Sequence, residues 1–448
     1  MTIETMKSSQ RMIYQAALDA VDPEEAVRRS LTRQKDSLQL AGQTYALSDF
    51  RKVFVVGTGK AGVPMARAVE DILGDRLQQG LIVVKHGHGG ALNKTQVLEA
   101  GHPEPDEDGH RASEALLSFL HQHISEQDLL LVLLSGGGSA LLPAPVAEIS
   151  FEAKQGTNAM LLRSSATIHE INAIRKHLSR IKGGRLIEHA TGAQIVSLML
   201  SDVVGDALTS IASGPTVPDP TRFEDCLRIL AKYNIEESTP PEVLSYLRSG
   251  AASDIPGIRE TPKPGDSRFA RVQNVIVASN IVALKAAAEK ARSLGFTPLI
   301  LSSSIAGNNG DVALVHTALA REVLQSGLPV QRPCCIISGG ETTVRVTGDG
   351  KGGRNQEFAL CCAAEIADWD FESILFTSLG SDGTDGPTDA AGAWVSPRTA
   401  ARAKALNLSI EDFLSRNDSY HFFERLGDLI TTGPTQTNVM DLRFILIR

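Results

Sequence analysis

Along most of this chain, short runs of consecutive apolar residues alternate with longer stretches in which apolar positions recur every three or four residues. The runs include Val53 to Val56, GLIVVKH (Gly80 to His86), TQVLEAG (Thr95 to Gly101), DLLLVLLSG (Asp128 to Gly136) and Gln194 to Ser201. Runs of that length, rich in β-branched residues and bounded by glycine, predict strands buried on both faces; the stretches between them predict helices. Strands alternating with helices in this way predict a doubly wound α/β domain. Two helices packed as an antiparallel pair are expected before it. The second starts at Asp22-Pro23-Glu24-Glu25, with Asp22 as N-cap, Pro23 in the first helical position and Glu25 closing a capping box.

Between Glu236 and Arg271 the pattern breaks. Prolines 240, 241, 256, 262 and 264 fall among glycines, serines and charges, with room for only a short helix. A second α/β series then begins with NVIVASN (Asn274 to Asn280) and continues through Phe296 to Ser302, CCIIS (Cys334 to Ser338), Ser373 to Gly380 and a last strand near Leu442 to Ile447. The pattern therefore predicts an α/β protein of two domains. An N-terminal Rossmann-like, doubly wound domain spans residues 1–250, a linker 251–271, and a C-terminal α/β domain 272–448.

Composition narrows the function classes. A chain of 448 residues with 42% hydrophobic and 21% charged residues is that of a globular protein with more than one domain. Its formal charge of -8 argues against nucleic acid or an anionic membrane as the main partner. The N-terminal residues lack the apolar core of a secretory signal, and no apolar run reaches the length of a membrane span. Five cysteines, two adjacent pairs plus Cys226, suit neither a disulfide framework nor zinc-ligand spacing. A cytoplasmic protein is expected.

Candidate chemistry gathers where predicted strands end. RKVFVVGTGKAGVPMARAVEDI (Arg51 to Ile72) is a strand, a glycine turn and a helix, and Gly57, Gly59 and Gly62 satisfy G-x-G-x-x-G. Such a turn gathers N–H groups at the positive end of a helix dipole, where a phosphate is stabilised; the alternative is a tight turn with no bound anion. Lys60 favours the anion. A second glycine turn, Ser135-Gly136-Gly137-Gly138-Ser139, follows another strand, where open α/β sheets bind ligands and a nest of N–H donors would hold nucleotide phosphates.

The segment Asn172 to Arg185 is basic in an acidic chain, with Arg175, Ser179 and Lys182 spaced to share one helical face. It is either a solvated face or a substrate-anion site. Asp202 and Asp206 follow a strand and are candidate Mg²⁺ ligands, with a helix cap as the alternative for Asp202. Ser338-Gly339-Gly340-Glu341 ends a further predicted strand, and Lys351 to Glu357 opens a helix that would aim Arg354 at an anion. Asp382, Asp385 and Asp389 lie in a glycine-rich loop, where a calcium loop is the rival to a catalytic metal site. Gly339 and Gly340 join the nucleotide-binding candidates, and Glu341 and Asp382 the metal candidates. Glycine turns and paired charges in both halves suit phosphoryl transfer in an interdomain cleft, where catalysis is mostly positioning and charge neutralisation.

GTGKAGVPMA (Gly57 to Ala66), GHPEPDEDG (Gly101 to Gly109), LLSGGGSALL (Leu133 to Leu142), NAIRKHLSRIKGGRL, SDVVGDALTSIASGPTVPD (Ser201 to Asp219), ISGGETTVRVTGDGKGGRNQE and SLGSDGTDGPTDAAG resemble the signature blocks of class II glycerate kinases. That family carries a C-terminal MOFRL domain, which would here occupy about residues 332–442. The resemblance runs in order to GPTQTNVMDL (Gly433 to Leu442) and implies phosphorylation of D-glycerate by ATP and Mg²⁺ to give 2-phosphoglycerate. It also implies that Lys60 and Arg354 face the cleft as catalytic cations. Thr58, where the family often has alanine, and the histidine-rich segment around His86 and His88 are departures. The partners implied are small molecules, with homo-oligomer formation left open.

Two rival functions stand beside this one. An NADPH-linked hydroxypyruvate reductase would use G-x-G-x-x-G, with Lys85-His86 at the end of the second strand favouring NADPH over NADH, but leaves the second half's loops unexplained. A non-catalytic sugar-phosphate sensor would have no need of so many carboxylates.

Overall fold

The computed structural model describes residues 2–190, 192–253 and 257–448. It forms two compact units that do not divide the chain at a single point. One comprises Ala26–Ser201 and Asp206–Val277; the other comprises Met1–Glu25, Asp202–Gly205 and Ala278–Arg448. We call them the N-terminal and C-terminal units.

The N-terminal unit is built on a six-stranded sheet. Its strands are Val53–Thr58, Leu77–Lys85, Thr95–Ala100, Leu129–Leu134, Gln194–Leu200 and Val272–Ala278, and numbered in that sequence their order across the sheet is 3-2-1-4-5-6. The pairings among the first five are parallel. Val53–Thr58 and Leu129–Leu134 are buried at every position, which is why they read as continuous apolar runs rather than alternating ones. The order reverses between these two neighbouring strands, and open α/β sheets bind ligands at the carboxyl ends of strands at such a point.

Three features of this unit depart from the sequence pattern. Strand Val272–Ala278, expected to open the C-terminal domain, hydrogen-bonds to Gln194–Leu200 and completes the N-terminal sheet. The described part of the expected linker is packed: Asp219 accepts from the Thr261 hydroxyl at 3.0 Å, and its amide donates to the Pro262 carbonyl at 2.8 Å. Just before it, helix Pro241–Ala252 buries Val243, Tyr246 and Leu247 against Phe223 and Leu230. Proline and glycine density marks breaks in regular structure, not a lack of burial. Finally, Leu31–Gln34, Ser37–Leu40 and Gln43–Ala46 form a small antiparallel sheet too polar and short to register as apolar runs.

The C-terminal unit holds a six-stranded mixed sheet. Across it lie Thr297–Asn308, Cys334–Thr343, Asp441–Ile447, Ile374–Gly380, Gly392–Val395 and Leu429–Ile430. The first pair is parallel and the rest are antiparallel. The last strand of the chain thus sits inside the sheet, buried along its whole length. Side chains alternate across it: Ile445 and Ile447 join Phe358, Phe422 and Phe423 in one core cluster, and Phe444 and Leu446 face the other way.

Helix Ile3–Ala20 belongs to this unit, where it packs on helix Asn280–Ser293. Its buried Gln10 donates to the Leu375 carbonyl at 2.9 Å and accepts from the Thr377 hydroxyl, tying the helix to the sheet backbone. The expected cap at Asp22 is present, accepting from the Glu25 amide at 2.9 Å.

Candidate active site

In the N-terminal unit the loops after strands Val53–Thr58 and Leu129–Leu134 are stitched together. The Ser135 amide donates to the Thr58 carbonyl at 3.0 Å, the Lys60 amide to the Gly136 carbonyl at 2.9 Å, and the Ala61 amide to Ser135 Oγ at 3.1 Å. Gly59 permits this approach. Its φ is +130°, and a Cβ there would lie 2.1 Å from Ser135 Oγ.

The consequence corrects the expectation for Gly57 and Gly59. The amides of Gly59, Lys60, Ala61 and Gly62 are all spent inside the protein, on Val83, Gly136, Ser135 and Gly59 respectively. At Gly57 a Cβ would meet the Leu133 carbonyl at 2.7 Å. These glycines serve close packing of two loops, and their turn presents no nest of free donors. The turn at Ser135 to Ser139 differs. The amides of Gly136, Gly137 and Ser139 donate to no acceptor among the described residues, whereas that of Gly138 donates to the Ser135 carbonyl at 3.3 Å. Gly137, left-handed at φ +89°, opens the short helix Gly138–Leu141. This arrangement can receive an anion.

Lys60 lies beside that turn, with its Cγ 3.5 Å from where a Gly137 Cβ would stand. Among the described residues its ammonium has no hydrogen-bond or ion-pair partner, and the residue is half-buried. His102, from the GHPEPDEDG segment, approaches the same Gly137 position at 2.9 Å. Burial, then the charges of Lys60, Lys85 and His88, push the His102 pKa down to about 4. A group depressed in this way stabilises the fold above its ordinary value of 6.5 and loses that contribution as pH falls toward 4. His102→Gln is therefore expected to flatten the decline of stability between pH 6.5 and 4, read as the urea midpoint at each pH; an unchanged slope would contradict this.

On the other side of the turn, Ser139 Oγ lies 2.8 Å from Ser213 Oγ, which bonds Asn172 Oδ1 at 3.1 Å. Ala212 and Ser213 hold φ of 48° and 60°, left-handed conformations that cost energy outside glycine and concentrate at functional sites.

The basic segment is not one helical face. Helix Ile168–His177 stops before Ser179 and Lys182, so the expected spacing from Arg175 is broken. Ser179 instead bridges to Pro145, and Lys182 turns inward, its buried ammonium donating to the Leu142 carbonyl. Burial and the charge of Arg175 lower the Lys182 pKa to about 7. Arg175 donates to Asn158 Oδ1 at 2.6 Å, and burial lowers its pKa to about 10.

In the C-terminal unit, strand Cys334–Thr343 runs straight through Gly339, Gly340 and Glu341, so these do not form a loop. A Cβ on Gly339 would lie 1.9 Å from Asn280 Oδ1, and one on Gly340 would meet the Ile305 carbonyl at 2.2 Å. Both glycines admit neighbouring groups of the protein, which corrects their reading as a nucleotide loop. Arg354 opens helix Arg354–Glu365, but the anion at that helix start is internal: Asp385 accepts from the Asn355 amide at 3.0 Å and the Gln356 amide at 2.8 Å. Burial pushes the Asp385 pKa up to about 6, against the lowering effect of those amides.

The Arg354 side chain is nonetheless held in place. Its Nε lies 2.9 Å from both oxygens of Asp441, and a terminal nitrogen lies 2.9 Å from Glu341. Burial alone would lower its pKa; Asp441 and Glu341 outweigh this and raise it. Asp441 also accepts from Asn355 at 2.8 Å and Arg443 at 3.0 Å. This positioning carboxylate was missed from the sequence. Its signal is an acid and a base, Asp441 and Arg443, two apart in the otherwise apolar strand DLRFILI.

The metal candidates belong to different units. Asp202 falls in the segment Asp202–Gly205 of the C-terminal unit, and Asp206 in the N-terminal unit. Glu341 pairs with Arg354, and Asp382 accepts from the Thr384 amide and hydroxyl through one oxygen. Asp389 is turned to the Tyr420 hydroxyl at 2.8 Å, so the three loop aspartates share no centre. Among the described residues the one gathered set of metal-type ligands is His86, Asp106 and Asp108.

With this geometry in view, two family matches divide the chain: residues 9–248 match the domain of unknown function DUF4147, and residues 334–441 match the MOFRL family. A glycerate 2-kinase of Pyrococcus horikoshii is 40% identical over 96% of this chain and 95% of its own. The chain belongs to the glycerate kinase family with a C-terminal MOFRL domain. Within that family, a D-glycerate 2-kinase of Thermotoga maritima is 38% identical over 99% of both chains. A crystal structure of a glycerate kinase from the same organism superimposes with a TM-score of 0.87 at 37% identity, covering 99% of this chain and 100% of that one. A relative of Agrobacterium vitis that carries the name of a hydroxypyruvate reductase is 38% identical over 98% of this chain and 93% of its own.

Proposed function

We propose that this chain transfers the γ-phosphoryl group of ATP to the C2 hydroxyl of D-glycerate, giving 2-phosphoglycerate and ADP. The observation that carries the proposal is its likeness, over nearly its whole length, to proteins named as glycerate 2-kinases. The local chemistry supports it. The unsatisfied amides of Gly136, Gly137 and Ser139 suit phosphate oxygens, and Lys60 beside them supplies a positive charge without other employment. Arg354, fixed by Asp441 and Glu341, is a second cation whose geometry is set before substrate arrives, as stabilising a phosphoryl transition state requires.

Magnesium fits one residue of the C-terminal unit well. Asp382 is half-buried, Thr384 occupies one of its oxygens, and among the described residues the other is left to ligate. Bound there with phosphate oxygens, Mg²⁺ would neutralise charge on the nucleotide. Asp441 and Asp385, each fully engaged with donors of the protein, serve as positioning groups.

A 3-2-1-4-5-6 strand order suits dinucleotide binding, which keeps the reductase in view. A dinucleotide on G-x-G-x-x-G, however, needs the amides that follow the first glycines, and here those amides are bound to Val83, Gly136 and Ser135. We infer a cytoplasmic enzyme of small-molecule substrates; no helix among the described residues is long and apolar enough to cross a membrane. Incubation with D-glycerate, ATP and Mg²⁺ is expected to release ADP, and incubation with hydroxypyruvate and NADPH to leave the absorbance of the reduced nicotinamide unchanged. The reverse pattern would overturn the proposal.

A further inference from the structure

Two lysines of the N-terminal unit are buried without a counter-ion. Lys154, on helix Phe151–Arg163, is 9% exposed and Lys182 2% exposed. The Lys154 ammonium donates to the Leu178 carbonyl at 2.6 Å, and that of Lys182 to the Leu142 carbonyl. Half-buried Arg175 completes the group, bonded to the neutral Asn158. Their neighbours are provided for: Lys176 pairs with Asp219 at 3.3 Å, and Arg180 pairs with Glu114. Among the described residues no carboxylate reaches Lys154, Arg175 or Lys182. Burying ammonium groups beside carbonyls alone is costly, and their mutual repulsion adds to the cost. Burial first, then the charges of Lys182, Arg175, Arg185 and Arg180, hold the Lys154 pKa far below its ordinary value.

Such a cluster is a poor way to stabilise a fold and a good way to hold an anion. Its position suits the chemistry, because Leu142 closes the short helix that begins in the Gly136 to Ser139 turn. Resting on the proposed kinase activity, we propose that Lys154, Arg175 and Lys182 form the subsite for the carboxylate of the three-carbon hydroxy acid, with Lys154 as its third cation. A carboxylate placed among them favours the charged form of each lysine and removes the repulsion. It also pins one end of a molecule with two competing hydroxyls.

Lys154→Met tests this, because it removes the charge and keeps an apolar side chain of similar length. In the full chain, calorimetric titration with D-glycerate alone is expected to show Kd raised at least tenfold. Titration with Mg·ADP alone should be unchanged within twofold, and the melting temperature should be equal to or above that of the parent. If Lys154→Met does not fold, Lys154→Gln, which can still donate to Leu178, is read by the same measurements. Unchanged glycerate affinity with a lowered melting temperature would make Lys154 a structural donor and overturn the subsite. Weakening of Mg·ADP rather than glycerate would overturn it in favour of a phosphate site. A parent chain that turns over D-glycerate while Lys154→Met behaves normally sinks the subsite alone; a parent that neither binds nor turns over D-glycerate sinks the kinase proposal with it.

Discussion

Replacing Arg354 with alanine is expected to lower kcat by about a thousand-fold, the scale on which a phosphoryl-transfer arginine acts. The side chain is suited to that task by its restraint. Both oxygens of Asp441 flank its Nε, Glu341 holds a terminal nitrogen, and 34% of the side chain stays exposed for a ligand. Little entropy is then lost when the phosphoryl group arrives. Stability should fall as well, by about 1–3 kcal/mol, because Asp441 loses one charged partner but keeps Arg443 and Asn355. Arg354→Lys separates the two effects. A single ammonium can pair with Asp441 and retain much of the stability, yet it cannot span Asp441 and Glu341 and still present a planar donor edge. Steady-state ADP release with a urea titration of each variant checks this. A lysine variant with near-parental kcat would remove Arg354 from the chemistry.

Lys60→Ala is expected to cost a similar factor in kcat, on the order of a hundred- to a thousand-fold, with almost no loss of stability. Here the structural bonds belong to the backbone of residue 60: its amide donates to Gly136 and its carbonyl lies 3.1 Å from His88 Nδ1. Alanine keeps both. The ammonium has no partner among the described residues, so its removal should shift the unfolding free energy by less than about 0.5 kcal/mol. The same variant carries a second readout. Lys60 is the largest electrostatic cause, after burial, of the depressed His102 pKa, so the His102 titration followed by NMR should move upward. Near-parental turnover in a variant whose His102 titration has moved would show that Lys60 sits where described but does no catalytic work.

Much of the α/β architecture was legible because fully buried strands must be apolar at every position. Val53–Thr58 and Leu129–Leu134 announce themselves in that way, and short glycine turns mark their ends. Which sheet a strand joins was not legible. Val272–Ala278 ends in an apolar run that strands of either sheet could carry, and only tertiary pairing assigns it to the N-terminal sheet. The assignment of helix Ile3–Ala20 to the C-terminal unit depends likewise on contacts 365 positions along the chain, such as Gln10 with Leu375.

At the candidate site, residue types were easier to read than their employment. Glycines at Gly57, Gly59, Gly339 and Gly340 signal that something approaches the backbone closely, and the pattern cannot say whether that is a phosphate or the protein itself. Here Leu133, Ser135, Asn280 and Ile305 make the approach. Helical spacing grouped Arg175 with Lys182, yet the helix ends between them, and burial brings Lys154 into the same group from another helix. Asp441 was hidden because a carboxylate at the head of an apolar strand has no motif; its meaning lies in the guanidinium it faces.

The central claim is phosphorylation at C2, and the most direct measurement follows the fate of the product. Glycerate offers a primary hydroxyl at C3 that is the more accessible nucleophile, so transfer to C2 requires the acid to be held with only that oxygen in line with the γ-phosphate. Coupling the reaction of D-glycerate, ATP and Mg²⁺ to enolase and pyruvate kinase, with no phosphoglycerate mutase present, is expected to yield pyruvate at the rate of ADP release from glycerate. Pyruvate that appears only after the mutase is added would identify the product as 3-phosphoglycerate and contradict the claim.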